Sequence, residues 1–189
     1  SGSADSTIKV WDAASGRLLQ TLKGHTAGIT SLAFSADGKI LASGSSDNSI
    51  KLWDTGTWRE LRTLNKQTRR ITALAFSSNG HNLVSGSMDG SLVLWDATSG
   101  RDRILSKPGA AVLASVFISD YEFLAANADG TIAFWSVTTG KQQRVVAGDQ
   151  GVEEILFASF SKDGKLSASS TGNRVVEVHR SLDGKVVRT

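Results

Sequence analysis

Short runs of apolar and β-branched residues, each closed by a small polar turn, fill this chain. The run Ile29-Thr30-Ser31-Leu32-Ala33-Phe34-Ser35 is followed by the turn Ala36-Asp37-Gly38 and by Lys39-Ile40-Leu41-Ala42-Ser43-Gly44-Ser45. Asp47-Asn48 then turns the chain into Ser49-Ile50-Lys51-Leu52-Trp53-Asp54, and Arg59-Glu60-Leu61-Arg62-Thr63-Leu64 closes the series. Runs of this length, punctuated by Gly, Asp, Asn and Ser, predict an antiparallel meander of four strands over residues 24–65. No helical period competes with it. The inner runs are apolar on both alternations, as in Leu32-Ala33-Phe34 and Ile40-Leu41-Ala42, so both of their faces are expected to be covered by neighbouring layers. Charge interrupts the last run, which reads as an edge.

The third run returns along the chain, closing on Trp11, Trp53, Trp95 and Trp135 at spacings of 42, 42 and 40 residues. A fifth copy, Arg174 to Arg180, carries His179 at the Trp position, 44 residues further on. A fixed period of this size marks a chain built by stacking one supersecondary unit. An acidic residue stands six positions before each Trp, as Asp5, Asp47, Asp89 and Asp129, with Asn173 in the fifth copy. One unit adds Gly24-His25 before its first strand and Ser43-Gly44-Ser45 in its second. With these residues the chain resembles the WD-repeat family from end to end. The resemblance implies an all-β fold, a β-propeller whose four-stranded antiparallel blades radiate from a central channel.

On this reading residues 1–189 form a single partial propeller of about four and a half blades, with units at about 1–23 (partial), 24–65, 66–107, 108–147 and 148–189. Ser1-Gly2-Ser3 aligns with Ser43-Gly44-Ser45, so the chain is expected to open inside a second strand. Propellers typically close with 4 to 8 blades. The expectation is therefore an incomplete ring, a segment of a longer chain, with self-association through open propeller edges.

The resemblance also implies a hydrogen-bonded chain inside each blade, joining His25, Ser43 or Ser45, Asp47 and Trp53, with counterparts at Asp5 and Trp11, Asp89 and Trp95, and Asp129 and Trp135. The donors and acceptors match, since indole only donates, carboxylate only accepts, and hydroxyl and imidazole do both. A His and an Asp that close also suggest catalysis, but the repeat context favours a structural role. Later units depart from the pattern, with Lys66-Gln67, Lys107-Pro108 and Gly148-Asp149 in place of Gly24-His25. Trp58 takes the turn position held elsewhere by Gly16, Gly100, Gly140 and Gly184. It is expected to pack under its blade, with a secondary partner contact as the alternative.

With 189 residues, 40% apolar and 21% charged, the chain has the makings of a sizeable core. No apolar run approaches the ~20 residues of a membrane helix, and the lack of cysteine excludes disulfides and zinc-thiolate sites. A cytoplasmic location is expected. The net charge of +3 raises nucleic-acid binding, yet Arg17, Lys23, Arg59, Arg62, Arg101, Arg103, Lys141, Arg144, Lys185 and Arg188 are spread over all five copies. That scatter reads as protected edge strands rather than a basic patch.

His25, His81 and His179 occupy different repeat positions and lack metal-ligand spacing, and there is no phosphate loop or nucleophile elbow. No catalytic residue, cofactor or metal is nominated. The resemblance implies a non-catalytic platform that binds a protein or peptide on the face bearing the loops before the first and third strands. That face would present Gly28, Thr30 and Ser46, then Arg70, Thr72 and Met88, then Ala111, Leu113 and Ala128, then Glu154, Leu156 and Gly172. Apolar residues beside an arginine have the character of an interface core, the alternative being that they line the channel mouth. Two further readings are a regulatory propeller attached to a kinase, protease or NTPase domain outside this chain, and nucleic-acid binding, which should weaken steeply with salt.

Overall fold

The computed structural model describes residues 1–106, 108–147, 155–171 and 176–188, and among these every regular element is a β-strand. The first sheet holds β1 (Ile8–Trp11) and β2 (Leu18–Leu22), with Gly2 bridged to Ile8 beside them. The second blade is β3 (Ile29–Phe34), β4 (Ile40–Ser45), β5 (Ile50–Asp54) and β6 (Glu60–Leu64), and the third is β7 (Ile71–Phe76), β8 (Asn82–Ser87), β9 (Leu92–Asp96) and β10 (Asp102–Ile104). The fourth comprises β11 (Val112–Ser119), β12 (Glu122–Asn127), β13 (Thr131–Ser136) and β14 (Gln142–Ala147), and the fifth β15 (Ile155–Phe160), β16 (Leu166–Thr171), β17 (Val176–Arg180) and β18 (Val186–Arg188). Each four-stranded sheet is an antiparallel meander in chain order, as hairpin-length connections require. The innermost strands β3, β7, β11 and β15 stand side by side, so the blades fan out as an arc that does not close into a ring.

The core lies between blades. Ala42, Ile50, Leu52 and Leu64 of the second blade pack with Ile71, Leu74, Leu83, Val93 and Trp95 of the third. The third in turn meets Val112, Phe117, Phe123 and Trp135 of the fourth. Each buried side chain of this size contributes about 1.5–3 kcal/mol. The stacking is close because the middle residue of Ser-Gly-Ser has no side chain. A Cβ on Gly44 would lie 2.5 Å from Ile71 of the next blade, and one on Gly86 would lie 2.4 Å from Val112. In the fourth blade Ala126 takes this place, and between it and Ile155 there is a small void of about 30 Å³.

One expectation is corrected at the start of the arc. Phe34 was expected to be sandwiched, but it is 56% exposed, because the first sheet has no inner strands opposite β3. At the other end Phe157 on β15 is 75% exposed, in a strand packed by a neighbouring blade on one side only among the described residues. The arginines of the outer strands do more than guard an edge. Arg62 donates to the carbonyl of Thr98 at 3.4 Å, Arg103 to those of Val137 and Thr138 at 3.2 and 3.1 Å, and Arg144 to that of Leu182 at 3.5 Å. Each pairs in register with the residue before the repeated Trp, Arg62 with Leu52, Arg103 with Leu94 and Arg144 with Phe134. Each therefore clasps the outer turn of the following blade. Arg144 also lies over the Phe134 ring, 3.7 Å from its centroid.

The first junction solves the same problem differently. Gln20 holds the clasp register opposite Val10, and Trp58 holds the turn with φ of 56°, a left-handed conformation costly for a bulky residue. At Gly100 a Cβ would come within 2.6 Å of Arg62. A side chain is thus admitted at this turn only where no arginine reaches across. Trp58 fills the space and packs on the cluster of Ile8, Leu22, Leu41 and Trp53.

Candidate partner-binding site

In the second blade the Trp53 indole N–H donates to Ser43 Oγ at 2.8 Å, and Ser43 Oγ lies 2.8 Å from His25 Nε2. His25 Nδ1 lies 2.9 Å from Asp47 Oδ2, which also accepts the Thr26 backbone N–H at 2.9 Å. The carboxylate can only accept, so Nδ1 donates and Nε2 takes the serine hydroxyl. Asp47 to His25 to Ser43 has the connectivity of a hydrolase triad, but Ser43 is fully buried and spends its oxygen on the indole. A nucleophile must be open to a substrate carbonyl beside an oxyanion-binding site. This set ties strands together instead, each bond adding about 0.5–1.5 kcal/mol.

Ser45 stands outside this chain of bonds, because its hydroxyl donates to the carbonyl of Ala27 at 2.8 Å and anchors the loop before β3. In the third blade Trp95 donates to Ser85 Oγ at 2.8 Å, and Gln67 replaces histidine as the hydroxyl's acceptor at 2.7 Å. Gln67 spends its amide on the carbonyl of Ser91 at 3.0 Å, leaving Asp89 to accept from the backbone and side chain of Thr68 at 3.0 and 2.5 Å. Burial alone would raise the carboxyls of Asp47 and Asp89. The donors converging on them, Ser49, Thr26 and His25 for Asp47 and Thr68 and the Ser91 N–H for Asp89, outweigh it and hold both well below the usual carboxylate range.

The remaining copies differ more. Trp11 is 45% exposed and donates to Ser1 Oγ at 3.0 Å, and Asp5 binds Thr7 in its own turn. Asp129 likewise accepts from Thr131 at 2.6 and 3.0 Å. Trp135 has Ala125 where the others have serine, and its buried indole N–H has no partner among the described residues. Asn173 lies outside the described residues, as do Glu154, Gly172, Gly148-Asp149 and Lys107. Trp58 is half-buried on the cluster that joins the first sheet to the second blade.

The face inferred from the repeat converges on one depression. Thr30, Arg70, Thr72, Met88, Ala111, Leu113, Ala128 and Leu156, drawn from four blades, line a cavity of about 340 Å³. Gly28 and Ser46 are not among its walls; they bond to each other, Ser46 N–H to Gly28 carbonyl at 2.9 Å, where Gly28 abuts Ala4. Ile155, Phe157 and Ala158 complete the lining and were not anticipated from the sequence. A backbone device aims the wall. Thr30, Thr72, Leu113 and Leu156 each sit at an interruption of the register near the start of an innermost strand, between Ile29 and Ser31, Ile71 and Ala73, Val112 and Ala114, and Ile155 and Phe157. A β-bulge leaves one residue unpaired and re-aims its side chain.

The four bulge residues are not equivalent. The hydroxyls of Thr30 and Thr72 reach the carbonyls of Ile71 and Val112 in the next blade, which turns polar atoms into inter-blade ties. Leu113 and Leu156 have no such atom to spend. The cavity is therefore two-sided, with Thr30, Arg70 and Thr72 on the side of the second and third blades and Leu113, Leu156 and Phe157 on the other. The loop carrying Arg70 is held in place. Ser87 Oγ donates to the Arg69 carbonyl at 3.0 Å, and Met88 N–H donates to the Arg70 carbonyl at 3.0 Å. The Asp89–Thr68 pair fixes the same loop two residues upstream. Among the described residues the Arg70 guanidinium hydrogen-bonds only the Met88 sulfur, at 3.7 Å, and has no carboxylate in reach.

Comparison with known proteins bears on two of the blades. The family model described as WD domain, G-beta repeat matches residues 16–54 and 58–96. Nuclear distribution protein PAC1 of Mycosarcoma maydis is 52% identical over 42 residues, 22% of this chain and 9% of that protein. The Lissencephaly-1 homolog of Caenorhabditis briggsae is 54% identical over 39 residues, 21% and 10% of the two chains, and the WD40 repeat-containing protein HOS15 of Arabidopsis thaliana is 48% identical over 42 residues, 22% and 7%. The matched stretch spans a tenth or less of each of these relatives. Over these two stretches the chain matches the WD40 repeat.

Proposed function

We propose that this WD40-repeat arc is a non-catalytic scaffold that binds a protein or peptide in the depression walled by Thr30, Arg70, Thr72, Met88, Leu113 and Leu156. The observation that carries the reading is the convergence of these residues from four blades on one cavity, aimed there by bulges. Its lining of leucine, methionine and arginine suits the desolvated centre of an interface. The Ser-His-Asp set that has the atoms for chemistry is sealed in the second blade. Arg62, Arg103 and Arg144 are occupied by neighbouring blades, so these three charges are spent within the fold rather than offered to a phosphate backbone.

Selection of binding peptides from a displayed random library tests the reading. Peptides enriched on the wild type should lose at least about tenfold in affinity when Arg70→Glu and Leu113→Glu are combined, while the circular dichroism spectrum is unchanged. Equal binding by the double variant would move the site elsewhere.

A further inference from the structure

The cavity's two sides differ in kind, and the difference specifies its occupant. Arg70 presents five N–H donors, and among the described residues the one hydrogen bond its guanidinium makes, to the Met88 sulfur, is to a weak acceptor. Its backbone is fixed on both sides by Ser87, Met88, Asp89 and Thr68. The charge is thus delivered to the cavity rim on a braced loop, with little loop ordering left to oppose binding. Across from it Leu156 is 51% exposed and Phe157 75% exposed, and beside them lie Leu113, Ala111 and Ala128. Exposed leucine and phenylalanine in one depression mark a surface awaiting a cover. A small anion would satisfy the arginine and leave that wall wet, and a purely apolar group would bury the guanidinium without a partner, at a desolvation cost. Both sides are answered together by an extended segment of polypeptide with a carboxylate next to a large apolar side chain.

We propose that the depression recognises a linear peptide motif in which an Asp or Glu adjoins a Leu or Phe, the carboxylate pairing with Arg70 and the apolar side chain lying on Leu113, Leu156 and Phe157. This rests on the reading of the same face as a docking surface. Charge complementarity selects the acid: a guanidinium and a carboxylate pair through two parallel hydrogen bonds, and an amide or an ammonium at that position cannot do the same.

An array of short synthetic peptides tests this, with Asp or Glu, Asn or Gln, or Lys placed next to Leu, Phe or Ala in an otherwise constant Gly-Ser frame, titrated against the whole chain. Acid-plus-apolar members should bind about tenfold or more tightly than their amide counterparts, the margin of a charge-assisted pair over a neutral one, and the margin should shrink with added salt. Arg70→Gln should erase the acid-over-amide preference while keeping the preference for Leu or Phe over Ala. Leu156→Ala should do the reverse, and Arg70→Glu should favour the Lys members. Wild-type binding that ignores acid against amide, with loss on combining Arg70→Glu and Leu113→Glu, overturns the motif and leaves the docking face standing. Binding indifferent to both substitutions overturns the motif and the docking face together.

Discussion

Substituting Ala125 by serine should stabilise this protein, and the fourth blade shows why. Trp53 and Trp95 each donate to a serine ten residues upstream at 2.8 Å, and Ala125 occupies that place for Trp135. The register is the same, Ser43 opposite Lys51, Ser85 opposite Val93 and Ala125 opposite Ala133. The Ala125 Cβ therefore stands where the serine Cβ stands in the other blades, and one added oxygen completes the contact. A buried donor without a partner costs about 1–3 kcal/mol. Against that recovery stands the burial of the new hydroxyl, whose available acceptor is the carbonyl across the pair, at the long 3.4 and 3.5 Å seen for Ser43 and Ser85. The net gain should be about 1 kcal/mol, a rise of roughly 2–4 °C in Tm for a chain of this size. Urea titration and calorimetry measure it, and the Trp135 indole proton should move downfield in the NMR spectrum. Ala125→Val, which adds bulk and no acceptor, should instead lose about 1–3 kcal/mol. If serine proves no more stabilising than valine, or the indole resonance stays in place, the orphaned N–H is not the liability argued here.

Trp58 and Gln20 should behave as one unit in a double-mutant cycle followed by urea unfolding. Gln20→Arg alone sets an arginine against the Trp58 side chain and Trp58→Gly alone empties the packed space, so each should destabilise by about 1–2 kcal/mol; the pair together, which recreates the clasp of the next junctions, should recover most of it. Additive losses would dissociate the two positions. The carboxyls of Asp47 and Asp89 are depressed in the folded protein, so the unfolded chain binds protons first as pH falls. Their contribution is intact above about pH 4 and drains away below it. The stability gap between the wild type and Asp89→Asn should therefore stay level from neutral pH to about pH 4 and narrow below it, and a gap independent of pH throughout would contradict this origin.

The strand pattern was readable because it depends on local alternation and turns: β3 to β6 fall within the four runs marked in the sequence. What blades do to one another was far less so. Arg62, Arg103 and Arg144 recur every 41 residues, a signal available in the chain, yet their targets are backbone carbonyls of the next blade's turns, and a carbonyl has no letter. The serine ten residues before Trp was equally visible, and Ala125 foretold the orphaned indole. The bulges were not visible at all. Thr30, Thr72, Leu113 and Leu156 share a backbone position while differing in chemistry, so no residue type marks the bulge. Phe157 is exposed for a reason no local pattern carries, since among the described residues β15 has a neighbouring blade on one side only. A physical division follows from these cases. Positions repeated in every blade, such as the small residue beneath Ile71 or Val112, are those where one blade constrains the next, and substitution there is felt as strain. Positions at which the blades disagree are free of that constraint. Arg70, Leu113 and Leu156, the residues of the proposed docking face, are among them.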